Sequence, residues 1–567
     1  MASLLKQKPY GPITVQQFYQ SLETAWRGNP QYTRSRRLAR RMGIAVSGGA
    51  DSMILAGLCR QLQLAKPELE LFFKAFIVDH KARKESSEEA LKVFGWLKNL
   101  GIESQILPLT WSSEKDVTEV TAFETSARQK RYLALGQACH TDQLAALLTG
   151  HHADDNVETA ILRLCQRSGR QGLTGISPLS RIPECQHVWG ISGSGHFEKI
   201  ASRNNGKRQI SKGSISFDMA AGGALLCRPL LPYTKSRILD TCEQLQIPYV
   251  TDPTNFDTTL TVRNTIRSLL SGNKLPRAFQ PPSMEAFLSR NRASLHDMMR
   301  QTDSLLRECK LLEFFAESST MKIQFPALDQ SHPLMSSERD SRLLAASLRR
   351  ITELISPLDH KSLPLHKYAA LARAIFAGRQ PDDFAIAGAH YRLVSVRHKG
   401  AKNVWHVSRL PFRAYSSPEL VVSELHNERF STPVLWDSRY WLQFRLKSKT
   451  ESDLSTSVTV RSLSKEDMIP ISHALEIYGH SKEIFSVVAP YKSRFTLPVV
   501  TTKHTTPDES VKEKYLALPT LGLNLSGSTG LGIQCQWGYK TVDVKALELL
   551  GWLKPNRNGS INSEVFV

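Results

Sequence analysis

The 567-residue chain has no closely paired cysteines, no long apolar run and almost no acid near its start. Its eight cysteines, Cys59, Cys139, Cys165, Cys185, Cys227, Cys242, Cys309 and Cys535, never stand in C-x-x-C spacing. That argues against a zinc ribbon, a cysteine-bound iron–sulfur cluster or a disulfide framework, and it fits a reducing compartment. No run of about 18 or more apolar residues occurs, so no membrane-spanning helix is expected. The first 46 residues hold one acid, Glu23, against Lys6, Lys8, Arg27, Arg34, Arg36, Arg37, Arg40 and Arg41. Arginine-rich, acid-poor segments have the composition of mitochondrial transit peptides. The competing reading is an ordered helix over Val15 to Ala25 with a basic arm that touches RNA, in a cytoplasmic protein. A nucleotide P-loop is absent too. The glycine turn Ser47-Gly48-Gly49-Ala50-Asp51-Ser52 is too short for one and carries no lysine.

What is present is basic charge and length. Lys+Arg 73 against Asp+Glu 53 gives +20, which suits a polyanionic partner, nucleic acid first. A generally basic, soluble protein is the plainer alternative. The chain exceeds one hydrophobic core, so two to four domains are expected.

The glycine turn follows an apolar run, Ile44-Ala45-Val46, and precedes another, Met53 to Ala56. That pattern predicts strand, tight turn and helix N-terminus, where backbone N–H groups and the helix dipole favour a phosphate. Residues 42–180 alternate strand-like and helical segments, the signature of a parallel sheet. Strands are expected over Gly43–Val46, Leu71–Val78, Ser104–Leu109 and Leu144–Thr149. Helices are expected after Ala50 and over Ser86–Asn99, Phe123–Cys139 and Asp154–Gln166. Ser47, Asp79 and His151 then fall at the C-terminal ends of strands, where open α/β sheets bind ligands.

The expected organisation has four parts. Residues 1–41 form the basic extension. Residues 42–270 form a doubly wound, Rossmann-like α/β domain with a flexible Gly/Ser-rich insertion over 186–223. Residues 271–389 form a helical, tRNA-binding middle, with helices over Met284–Ser289, Leu295–Phe315 and Ser341–Leu354. Residues 390–567 form a β-rich region.

Five further segments accompany the turn. They are Val78-Asp79-His80 with Ser86 and Glu89-Ala90; Glu124-x-x-Ala127-Arg128-x-x-Arg131-Tyr132; and Gly150-His151-His152-Ala153-Asp154-Asp155-x-x-Glu158-Thr159. Then come Gly169-x-x-Gly172-Leu173-x-Gly175 with Arg228-Pro229-Leu230, and Asp252-x-x-Asn255-x-Asp257 with Arg263-Asn264-x-x-Arg267. The turn resembles the SGGxDS loop of the PP-loop ATP pyrophosphatases, which cleave ATP between the α and β phosphates. In this order the six segments resemble the tRNA(Ile)-lysidine synthetase family over residues 43–267, the insertion excepted. Trp436-Asp437-x-Arg439-Tyr440 and Pro490-Tyr491 to Val499 resemble pieces of that family's C-terminal region.

The resemblance implies a PP-loop ATPase fold and a ligase. Such a ligase uses ATP to adenylate O2 of the wobble cytidine of tRNA(Ile) with a CAU anticodon. L-lysine then attacks carbon 2, giving lysidine, AMP and pyrophosphate. Two departures stand out. After His80 the family has G-L-R where this chain has Lys81-Ala82-Arg83. Gln166-Arg167 replaces an R-G pair.

Residue by residue, Ser47, Gly48, Gly49, Ala50, Asp51, Ser52 and Asp79 are expected at ATP. Asp51 beside phosphate calls for a cation and suggests Mg²⁺; as a helix cap it needs none. Asp155 and Glu158 share one helix face. They can hold the metal with Asp51, bind the lysine ammonium, or take a proton from the attacking amine; a solvated acidic first turn is the plain alternative. His151 and Arg128 complete the expected catalytic set, and Glu124, Arg131, Arg228, Arg263 and Arg267 the lysine and tRNA contacts. An i,i+4 pair between Glu124 and Arg128, and surface solubility for the other arginines, are the plain readings. Other reactions remain open to the same turn: tRNA thiolation, small-molecule amidation, or RNA binding without catalysis.

Overall fold

The computed structural model describes residues 11–28, 37–81, 84–111, 120–169, 172–202, 216–251, 261–329, 331–336, 338–358, 363–378, 382–394, 403–413, 416–423, 425–446, 457–479, 481, 483–505, 511–525 and 532–553. The chain divides into two compact units, Met1–His196 with Gly222–Asp297 and Phe197–Ala221 with Met298–Val567.

The first unit opens with α1 (Val15–Arg27). Thr14 and Gln17 form a capping box there. Phe18, Leu22, Ala25 and Trp26 are buried. Ser21 donates to the Pro229 carbonyl, and Trp26 Nε1 donates to the Arg37 carbonyl at 2.9 Å. The ordered-helix reading of this segment therefore holds from Val15 onward, and α1 is part of the domain core. Residues 1–10 and 29–36 of the basic segment lie outside the described residues.

The chain then alternates through β1 (Arg41–Val46), α2 (Ala50–Ala65), β2 (Phe72–Asp79), α3 (Lys84–Asn99), β3 (Glu103–Pro108), α4 (Val120–Thr141), β4 (Ala146–Leu148) and α5 (Ala153–Cys165). After β5 (Leu179–Arg181) come β6 (His196–Ala201), β7 (Ser216–Ala221), β8 (Leu225–Cys227), α6 (Lys235–Gln244), α7 (Val262–Ser271) and α8 (Pro281–Glu308). One sheet runs β3-β2-β1-β4-β8-β5. Its pairings are parallel except β5 with β8.

Strand side chains alternate between two cores, as a sheet covered on both faces requires. Ala75 and Ile77 join one core with Leu22, Leu55 and Val93, while Phe76 joins the other with Tyr132, Leu135 and Leu147. This is the doubly wound α/β fold expected. The strand order reverses at β1 and β4, so ligands are expected above the ends of those two strands.

The insertion over 186–223 differs from a wholly flexible loop. It contains β6 and β7, which belong to the second unit from Phe197 onward. They extend the sheet β15-β16-β21-β7-β6. The other strands of that unit are β9 (Lys310–Phe315), β10 (Thr320–Gln324), β11 (Phe384–Ile386), β12 (Ala389–Leu393), β13 (Val404–Arg409), β14 (Leu420–Val422), β15 (Val434–Trp436), β16 (Tyr440–Leu446), β17 (Val458–Ser462), β18 (Pro498–Thr505), β19 (Val511–Leu518), β20 (Leu523–Asn524) and β21 (Ile533–Tyr539). Phe217 of β7 packs its ring 5.6 Å from Phe314, 5.9 Å from Tyr539 and 5.7 Å from Trp552. Apolar side chains on β6 and β7, not the glycines around them, decide the outcome. Residues 203–215 lie outside the described residues.

The middle region also departs from an all-helical reading. The helix expected over Leu295–Phe315 ends at Glu308, and Lys310–Phe315 is strand β9. Strand β9 pairs with β10, and β10 with β13, at one side of a five-stranded sheet. Apolar residues at both helical and strand spacing made the run ambiguous, and the β10 partner settles it.

Candidate active site

The glycine turn sits at the end of β1. Gly48 has φ +86°, and an added Cβ would stand 2.7 Å from Val93, so only glycine fits. The Gly48 carbonyl accepts from Val250 N at 2.9 Å, and Gly49 opens α2 by accepting from Ser52 N and Met53 N. Ser52 Oγ donates to the Gly49 carbonyl at 2.9 Å and accepts from Ser47 N at 3.1 Å. The two serines and two glycines thus form one rigid bend with Ala50 buried beneath it.

The neighbouring strand ends close round this bend. Gly150 lies so near that an added Cβ would meet the Asp51 backbone at 2.8 Å. Asp79, at the end of β2, accepts from Lys81 N, Ser86 Oγ and Ser87 Oγ at 2.9, 2.9 and 2.7 Å. Burial opposes its ionisation, but these donors outweigh burial and lower its pKa. Asp79 therefore fixes the β2–α3 loop. Its oxygens are engaged within the protein.

Asp51, in the first turn of α2, accepts from Lys235 Nζ with both oxygens, at 2.7 and 2.8 Å. Lys235 opens α6, and its own N–H donates to Asp154 Oδ2 at 2.7 Å. Sequence reasoning missed Lys235, which stands in no motif. It missed His152 as well. His152 precedes α5, and its Nε2 lies 3.6 Å from Asp51 and 3.5 Å from Asp155, with Nδ1 3.4 Å from Asp154. Burial favours the neutral ring, but the three carboxylates outweigh burial and raise its pKa. The acidic cluster thus carries its own positive charges. Among the described residues no group of three or more His, Cys, Asp and Glu could hold a metal ion. Asp51 and Asp155 do not make a metal cage by themselves; one carboxylate beside phosphate oxygens is what Mg²⁺ needs.

Asp155 accepts from His152 N at 3.1 Å. Glu158, the next acid on that face, is buried. Arg267 grips both its oxygens, at 2.8 and 3.0 Å. Arg263 approaches Glu158 to 3.9 Å and donates to Thr159 Oγ1 at 3.0 Å. α7 therefore brings Arg263 and Arg267 onto α5, where the i and i+3 acids meet them. His151 Nδ1 lies 3.1 Å from Thr149 Oγ1. Burial first, then the Arg228 guanidinium, push its pKa down to about 4. Near neutral pH the ring is uncharged and can accept a proton or hydrogen bond.

Arg228 donates to the Ser177 carbonyl at 2.7 Å and Ser180 Oγ at 3.0 Å, and its buried Nε has no partner. Arg128 and Arg131 both lie against the Tyr132 ring, 4.8 and 5.5 Å from its centre. Arg163, on α5, donates to the carbonyls of Gly172 and Gly175 at 2.7 and 3.0 Å, so it braces the glycine-rich turn. The Glu124 side chain and residues Asp252, Asn255 and Asp257 lie outside the described residues.

Residues 16–273 match the family model described as a PP-loop domain. A probable tRNA(Ile)-lysidine synthase of Schizosaccharomyces pombe is 28% identical over 523 residues, covering 90% of this chain and 96% of that protein. Residues 16–273 thus carry a PP-loop domain, and the chain is similar to tRNA(Ile)-lysidine synthases. A bacterial relative, the tRNA(Ile)-lysidine synthase of Methylobacterium sp. strain 4-46, is 34% identical over 213 residues, 37% of this chain and 47% of that protein. The counterpart of Novosphingobium aromaticivorans is 30% identical over 42% of this chain and 59% of its own. The chain thus spans about half the length of these bacterial relatives. A solved U34-tRNA thiolase from Methanococcus maripaludis, with its 4Fe–4S cluster, aligns with TM-score 0.33 and 14% identity, covering 52% of this chain and 89% of that one. That likeness is too slight to distinguish among PP-loop reactions.

Both family departures noted in the sequence fall on left-handed backbone. Lys81 has φ +48° and Arg167 has φ +52°. The glycine conformation is kept without the glycine.

Proposed function

We propose that the protein ligates L-lysine to carbon 2 of the wobble cytidine of tRNA(Ile) with a CAU anticodon. ATP first adenylates the cytosine O2 and releases pyrophosphate. The lysine ε-amine then attacks carbon 2, AMP leaves, and lysidine forms. One observation carries this reading: the phosphate-type bend and the Asp155–Glu158 pair, gripped by Arg263 and Arg267, lie in one cluster bridged by Asp51 and His152.

The roles follow from chemistry. N–H groups of the bend and the start of α2 cradle phosphate. Mg²⁺ arriving with ATP would be held by Asp51, with Asp155 as a second carboxylate across His152, and would offset charge on the phosphates. Neutral His151 faces the reacting base. Asp155, the less tightly gripped of the two helix acids, receives the lysine ammonium or the proton it sheds. Glu158 is committed to Arg267 and orients it. Arg128, Arg131, Arg228 and Arg263 supply positive charge for phosphate and RNA.

The test is incubation with ATP, Mg²⁺, labelled lysine and the tRNA(Ile) CAU transcript. Label in RNA supports the ligase. Pyrophosphate release without it points to another PP-loop reaction.

For location we propose the mitochondrion, which rests on the basic, acid-poor first 46 residues. Because Ile13 and α1 are built into the core, cleavage after residue 41 would strip core residues from the domain. A reporter fused to residues 1–46 tests the address.

A further inference from the structure

We infer that Lys235 is a phosphate-binding residue of the ATP site, parked on Asp51 until the nucleotide arrives. The inference deepens the reading above and rests on its placing of ATP phosphates at the glycine bend.

A loop that grips a triphosphate needs a mobile cation as well as N–H groups. Ser47 to Ser52 contain none. Lys235 supplies one from a different element. Its Nζ reaches both Asp51 oxygens, at 2.7 and 2.8 Å, and Asp51 lies in the first turn of the helix that the bend opens. An ammonium has three donors, so two on Asp51 leave one spare. The side chain is 39% exposed and Asp51 31%, so both can be reached by an incoming ligand.

An ion pair this exposed stabilises a fold little. The lysine backbone is anchored separately, through its N–H to Asp154, so the long side chain can move while α6 stays fixed. Paired with Asp51, Lys235 also cancels the charge that would repel phosphate. When phosphate enters, the ammonium transfers from one carboxylate to oxygens of higher charge only a few bonds of side-chain rotation away. Asp51 is thereby released for Mg²⁺. A lysine acts here as a point charge, as it does in other phosphate sites.

The test uses the full chain with Lys235→Met and Lys235→Arg, titrated calorimetrically with inorganic pyrophosphate, α,β-methylene ATP and adenosine in the presence of Mg²⁺. For Lys235→Met, pyrophosphate and the analogue should bind about tenfold more weakly or worse, while adenosine, which has no phosphate, stays within about twofold. Lys235→Arg should recover part of the loss. Unchanged pyrophosphate affinity overturns the assignment. A parallel loss of adenosine binding in both variants also overturns it, because that marks a purely structural side chain.

Crystals of the unsubstituted protein soaked with pyrophosphate give a check free of folding effects. A phosphate oxygen must come within hydrogen-bond reach of Lys235 Nζ. Nζ still seated on both Asp51 oxygens beside a bound pyrophosphate would refute the exchange. If labelled lysine never enters tRNA but the pyrophosphate effect stands, the lysidine reading fails and the role of Lys235 survives.

Discussion

Both units of this protein are knit by cation–carboxylate clusters, and the two clusters differ in exposure. In the second unit Asp437 binds Arg409 at 3.0 Å and Arg439 at 2.5 Å. Arg439 is fully buried and also donates to the Thr496 carbonyl at 2.6 Å. Every strong donor there faces a fixed protein acceptor. In the first unit the cations Lys235, Arg263 and Arg267 keep about two-fifths of their side chains in water. Their partners are carboxylates that a ligand can replace. The same chemistry serves as scaffold where water is excluded and as binding machinery where it is not.

Four measurements sharpen or break that contrast. Asp51→Asn should lower pyrophosphate release about a hundredfold or more while tRNA retention on a filter stays near normal. Lost tRNA retention with intact ATP turnover would reverse the assignment. Asp437→Asn leaves Arg439 buried without its counter-charge. It should cost about 3–5 kcal/mol in the denaturant unfolding of the second unit, with pyrophosphate release unaffected at low temperature. If Asp437→Asn cost no more than a surface pair, the scaffold reading would collapse.

The third measurement is pH dependence. Burial, then Lys322, Arg392 and His390, push His406 down to about 4 from an ordinary value of 6.5. Between these values the unfolded chain binds a proton that the native one refuses. Stability of the second unit should therefore be full above about pH 6.5 and fall as pH drops toward 4, by on the order of 3 kcal/mol. Denaturant midpoints across this range should flatten in His406→Gln. An unchanged slope would show that His406 titrates alike in the folded and unfolded states. The smallest effect concerns the left-handed positions. Lys81→Gly and Arg167→Gly relieve a strained backbone, and each should stabilise the first unit by up to about 1 kcal/mol in thermal unfolding.

The sequence made the PP-loop half legible because its signals are local. Strand, turn and helix follow one another within a few residues, and Ser47 to Ser52 fix their own geometry. The pairing of acids on α5 was equally visible as an i,i+3 spacing. Lys235 escaped because nothing nearby distinguishes it from any helix-opening lysine; its meaning comes from Asp51, far away in the chain. Strands β6 and β7 escaped for the same reason. Their glycine- and serine-rich flanks read as linker, and only the aromatic cluster around Phe217 turns them into sheet. Strand β9 was hidden by an apolar run that satisfies helix and strand periodicity alike.

The excursion of β6 and β7 also sets an order of events on the ribosome. These strands emerge within the first half of the chain, yet β21, beside which β7 lies, is among the last segments to be made. Until then a hydrophobic ribbon tethered to an otherwise completable nucleotide domain lacks the strand that pairs with it. Chains that terminate early would carry that ribbon uncovered, so a premature stop near the C-terminus should send the truncated product to aggregates or proteases even with its nucleotide domain whole.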